Sequence, residues 1–117
     1  MKKEHKKANL LELTPIHLLT HEYRADGEID VLVPRFKHSV FQKILPKHRS
    51  PYIKANLDEL GTATWELIDG KRNVTEIAEM MVEKYGERIE PVHQRVSAFM
   101  QQMYRNKFIS FVEFSED

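Results

Sequence analysis

His17 and His21 stand four residues apart, a spacing that would turn both imidazoles to one side of a helix and could hold a metal ion. No third ligand accompanies them ahead of the predicted hairpin, so no metal site is expected. Glu66 and Asp69 form a carboxylate pair, but no cysteine or histidine is placed to assist them. Phosphate-loop and nucleophile motifs are also missing. The chain is therefore expected to be no enzyme, with no catalytic residue and no cofactor. Glu76, Glu79, Glu83 and Glu87 recur close to a helical repeat and make either a solvated face or a docking face for a basic partner enzyme. His93, Gln94, Arg95, Gln101, Gln102 and Arg105 have the composition of a DNA-reading helix, which keeps a winged-helix transcriptional regulator as the alternative function. Against it, the preceding helix is acidic and the chain is neutral overall, whereas phosphate contacts supply most non-specific affinity for DNA.

Charge is segregated along the chain even though 18 basic and 18 acidic residues cancel. No acidic residue lies between Val31 and Leu57, where Arg35, Lys37, Lys43, Lys47, Arg49 and Lys54 stand with His38 and His48. From Asp58 to Glu90 the balance reverses, with nine carboxylates against Lys71, Arg72, Lys84 and Arg88. The basic block reads equally as a solvated loop or as a surface for an acidic peptide. There is no cysteine, which excludes disulfides, thiolate zinc sites and a cysteine nucleophile and fits a reducing cytosol. No apolar run approaches the ~20 residues that span a bilayer, and a soluble, cytoplasmic protein is expected.

These residues need a scaffold, and 117 residues suffice for one compact domain. Residues 1–9 are lysine-rich and aperiodic and read as a disordered basic tail, leaving 10–117 as the domain. Asp26-Gly27, flanked by β-formers from Tyr23 to Pro34, predicts a hairpin. Val40, Phe41, Ile44 and Leu45 suit one or two helical turns, and Tyr52 to Leu57 reads as a third strand. Asp58 is a fitting N-cap for a helix over 59–69, stopped by Gly70. Asn73 and Glu76 have the form of a capping box for a helix over 74–85, stopped by Gly86. Pro91 opens a third helix to about residue 105, with Asn106 as the expected left-handed stop. Phe108 to Phe114 closes the chain as a strand or extended wing. Trp65, midway along an amphipathic helix, is expected in the core, and Met80, Met81, Met100 and Met103 are expected to fill gaps between helices.

The stretch Leu57 to Gly70 with Trp65 and Asp69-Gly70, then Val74 to Ala78, and then Phe99, Met103 and Phe108-Ile109, resembles the PqqD-like family over about Leu10 to Ile109. The basic segment Phe36 to Ser50 departs from that pattern. The resemblance implies an α+β fold: a winged helix-turn-helix of three helices with a small N-terminal antiparallel sheet and a C-terminal wing strand. It also implies a bacterial, non-catalytic peptide chaperone of the kind that serves ribosomally made precursors. Such a protein binds the precursor's leader by strand addition and presents it to a separate modifying enzyme, the family's example being a radical SAM protein. Neither a membrane nor a nucleic acid is expected as partner. On this reading Tyr52, Ile53, Lys54, Ala55 and Asn56 form the docking edge. Arg95, Phe99 and Gln102 line a cleft beneath the last helix, and proline at Ile53 is expected to break the added ladder. Lys43, Lys47 and Arg49 would steer an acidic leader.

Lys47→Glu combined with Arg49→Glu is expected to slow association of a leader peptide and flatten its dependence on salt in stopped-flow measurements. Unchanged rates would return the block to a solvated loop.

Overall fold

The computed structural model describes residues 9–35 and 51–116. Four strands precede the helices: β1 (Pro15–His17), β2 (His21–Tyr23), β3 (Ile29–Pro34) and β4 (Tyr52–Asn56). Helices α1 (Glu59–Glu66), α2 (Val74–Tyr85) and α3 (Val92–Arg105) follow, and β5 (Ile109–Phe111) comes last. Strands β2, β3 and β4 form one antiparallel sheet in that order, and β1 pairs antiparallel with β5 in a second. The fold is α+β. Among the described residues, no helix is long and apolar enough to cross a membrane.

The predicted hairpin forms around Gly27, whose φ of 88° needs a residue without a side chain. The Asp26 carboxylate accepts the Glu28 N–H to close the turn. Strand β1 was not expected; three residues are too few for a period to be read, and their partners lie at the far end of the chain. This N-terminal stretch is threaded between two later segments. Gly70 N–H donates to the Pro15 carbonyl and Val74 N–H to that of Leu13, while Val112 N–H donates to Thr14. The closing strand Ile109–Phe111 is shorter than the predicted Phe108 to Phe114, because the chain turns into a tight 3-10 coil from Val112.

Helix starts follow their caps. Asp58 accepts from Gly61 N–H at 2.8 Å, and Asn73 and Glu76 exchange both bonds of the capping box. Two helix ends differ from expectation. Helix α1 stops at Glu66 rather than 69, because Leu67 and Ile68 tighten onto the carbonyls of Thr64 and Trp65. The Asp69 carboxylate then accepts the N–H groups of Arg72 and Lys71, which also hold it below the usual carboxylate range. Asn106 does not take the left-handed conformation; its φ is −83°, and Lys107 does so with φ 66°. Phe108 N–H returns to the Met103 carbonyl and Lys107 N–H to that of Tyr104, which makes a Schellman turn sealed by the buried Met103 and Phe108. These two backbone bonds place the left-handed residue one position after the asparagine.

Trp65 is fully buried, as expected, with Ile29, Val31, Ile77, Met81, Met100 and Ile109 in one cluster. Met81, Met100 and Met103 fill the core, but Met80 is 37% exposed and does not. His17 and His21 lie on two different strands, not on one helix. The His17 ring stacks on the indole at 3.9 Å and its Nε2 bonds the Trp65 carbonyl, while the indole N–H donates to His21 Nδ1 at 3.1 Å. Glu66 accepts from the Tyr23 hydroxyl. Both halves of the suspected carboxylate pair thus have structural partners.

Burial holds His17 below its ordinary value, outweighing the Trp65 carbonyl that favours its proton, and His21 pushes the same way. A histidine depressed by folding takes up its proton more readily in the unfolded chain. Stability is therefore full above the ordinary histidine range and declines as pH falls below it. The melting temperature is expected to drop between about pH 7.5 and 5.5. His17→Gln should flatten that limb; equal slopes would acquit His17. Separately, Lys107→Gly should raise the unfolding free energy by about 1 kcal/mol in urea titrations, because glycine takes the left-handed position without steric cost.

Candidate functional site

Strand β4 is the edge of its sheet, and its ladder has a definite parity. Leu57 N–H donates to the Ile29 carbonyl and Arg35 N–H to that of Pro51, so the bonded pairs between these ends are Ala55 with Val31 and Ile53 with Val33. Odd-numbered residues of β4 thus spend their backbone groups on β3. Lys54 and Asn56 direct theirs outward. This corrects the expectation for Ile53: its N–H faces β3, and proline there would cut the internal ladder rather than an added one.

Beside the C-terminal end of β4 lies a cleft of about 470 Å³, bounded by Ala55 to Asp58, the first turns of α1, and α3. Of the predicted residues, the fold brings together Ala55, Asn56, Arg95, Phe99 and Gln102 around it. Tyr52, Ile53 and Lys54 continue the same edge beyond its lining. Lys43, Lys47 and Arg49, with the rest of the basic segment 36–50, lie outside the described residues. Leu57, Leu60, Val96, Met103 and Phe108 also line the cleft and were not anticipated. Val96 and Met103 share the helical stripe of Arg95, Phe99 and Gln102, so the 3.6-residue period contained that signal. Leu57 and Leu60 could not be read this way, since their approach to α3 is a tertiary event. Gly61 lies at this approach: a Cβ there would make an ordinary 3.5 Å contact with the Phe99 ring but crowd the capping Asp58 oxygen at 3.1 Å.

The floor is apolar and the rim polar. Arg95 is exposed and donates to the Arg88 carbonyl at 2.6 Å, while Arg88 pairs with Glu59 at 2.7 Å and holds that carboxylate below its usual range. Among the described residues no carboxylate pairs with Arg95. From Val92 to Val112 there is no acidic residue; of the bases His93, Arg95, Arg105 and Lys107 there, Arg95 lines the cleft. Helix α2 carries the opposite sign at exposed Glu76, Glu79 and Glu83.

Behind the edge, Lys54 pairs with Glu22 at 2.7 Å, which raises the lysine above its ordinary value. Asp30 is 5% exposed; the Asn56 carboxamide and then the Arg24 guanidinium hold its carboxyl below the usual range. These contacts fix the strand's polar face. The cleft offers apolar burial beside a backbone edge, with Arg95 and the helix-capping Asp58 as the charged groups among its described lining residues.

The family model of coenzyme PQQ synthesis protein D, PqqD, matches residues 45–109, more than half of the chain. The match is narrower than the expected Leu10 to Ile109 and leaves the hairpin outside, while covering β4, all three helices and every lining residue of the cleft. No curated protein and no solved structure matches the chain.

Proposed function

The chain belongs to the PqqD family, a family of coenzyme PQQ synthesis, and on that premise we propose that it is a non-catalytic peptide chaperone acting in the cytoplasm. The leader of a ribosomally made precursor adds as a strand to β4 and lays apolar side chains into the cleft under α3. Residues 10–117 serve as one domain of winged helix-turn-helix type. The bound precursor is handed to a separate modifying enzyme, a radical SAM protein being the partner the family suggests. Tethering raises the effective concentration of the distal core peptide, so a modest leader affinity is enough.

One observation carries this reading: the outward backbone rungs of Lys54 and Asn56 lie next to an apolar cleft roofed by α3 with Arg95 at its lining. Main-chain pairing gives affinity and the cleft gives selectivity. Arg95 favours a carboxylate on the peptide, through encounter and register more than through net binding energy. The DNA-reading alternative gains no support, since Arg95 and Gln102 line the cleft opposite Ala55 and Asn56.

A titration with candidate precursor peptides encoded beside its gene, followed by backbone amide shifts, should move residues 52–56 and the cleft face of α3. A short DNA duplex should leave them in place. Lys54→Pro removes an outward donor without touching the β3 ladder, and is expected to weaken the peptide about tenfold at most while helix content holds. Undiminished affinity of Lys54→Pro would sink the strand-addition mechanism.

A further inference from the structure

Arg24 sits in the hairpin turn, outside the cleft, yet its guanidinium reaches the place where the docking edge ends and the cleft begins. Its Nη1 donates to the Ile29 carbonyl at 3.0 Å and to the Asp30 carboxylate at 2.7 Å. Its Nη2 donates to the Leu57 carbonyl at 2.9 Å and to Glu28 at 3.2 Å. Asp30 in turn accepts the side-chain amide of Asn56. One planar group therefore grips the start of β3 and the last residues of the edge strand, which a single ammonium could not do.

The edge needs such a grip. Tyr52, Ile53, Lys54 and Asn56 are exposed and Ala55 is half-buried, so β4 has little packing of its own. Its C-terminal end is held by the buried Leu57 side chain, the Leu57 N–H on Ile29, and the Arg24 contacts to the Leu57 carbonyl and through Asp30 to Asn56. Asp58, the next residue, caps α1 and lines the cleft. An incoming strand that had to order this edge would meet an entropic cost that a preformed edge avoids.

We propose that Arg24 is a positioning residue for peptide capture: it pins the Leu57 carbonyl and the Asp30–Asn56 pair, so that the outward groups of Lys54 and Asn56 are aligned before the peptide arrives. This role rests on the strand-addition reading. It adds a determinant that lies outside the segment matched by the family model and touches no ligand.

The test uses the full chain with Arg24→Gln and Arg24→Lys, amide hydrogen exchange, and the fluorescein-labelled N-terminal half of the candidate precursor peptide that shifts residues 52–56 in the titration above. Arg24→Gln is expected to speed exchange at Ala55 and Leu57 about tenfold while α2 and α3 amides keep their rates. At a temperature where circular dichroism shows the variant folded, its Kd should rise about five- to tenfold, with Arg24→Lys in between. Should Arg24→Gln fail to fold, Arg24→Lys carries the same comparison. Unchanged exchange at Ala55 and Leu57 overturns the clamp whatever the peptide does. Faster exchange with an unchanged Kd overturns its role in capture, as does faster exchange throughout the molecule with Kd intact. A wild-type protein that ignores every candidate peptide overturns strand addition and this role together, while the exchange data still judge the clamp.

Discussion

The burial of Trp65 is the contact on which the remainder of the architecture rests. Its ring lies under His17 of β1, its N–H is taken by His21 of β2, and its carbonyl is shared between His17 and the turn that ends α1. Truncating a buried side chain of this size to alanine costs roughly 3–5 kcal/mol, against a total stability of about 5–15 kcal/mol for a domain. A single residue thereby fastens both sheets to the first helix. One turn earlier, buried Thr62 accepts the Ile29 N–H and fixes α1 to the start of β3.

With α1 held in this way, the geometry of the cleft follows. Its first turn lies beside Phe99 of α3, with Gly61 at the approach, and Leu57 and Leu60 are carried into the floor. The strand leading into α1 then becomes the sheet's edge. Its odd residues are consumed by β3 and its even ones are left for a partner. A binding edge beside a cleft is thus the by-product of joining a short strand directly to an N-capped helix.

Electrostatics adds direction to this shape. Carboxylates are gathered on α2 and within the hairpin, where Arg24 and Lys54 answer them, whereas α3 brings Arg95 to the cleft with no carboxylate of its own. Exposed charges at this spacing steer encounter over about 8–10 Å at ordinary ionic strength rather than supplying much affinity. The apolar floor and the backbone rungs must provide the rest.

The sequence by itself determined the parts governed by local rules. The Asp26-Gly27 turn, the Asp58 cap, the Asn73–Glu76 box, the Gly86 stop and strand Tyr52–Asn56 all follow from side-chain chemistry within a few residues. So did the stripe of Arg95, Phe99 and Gln102, which the helical period places on one face. Tertiary structure decided what depends on distant partners. It paired β1 with β5, moved the left-handed stop of α3 to Lys107, and set two histidines four residues apart against the face and the edge of one tryptophan. It also decided which backbone groups of β4 face outward, since parity is set by the register with β3 and no side chain in the strand encodes that choice.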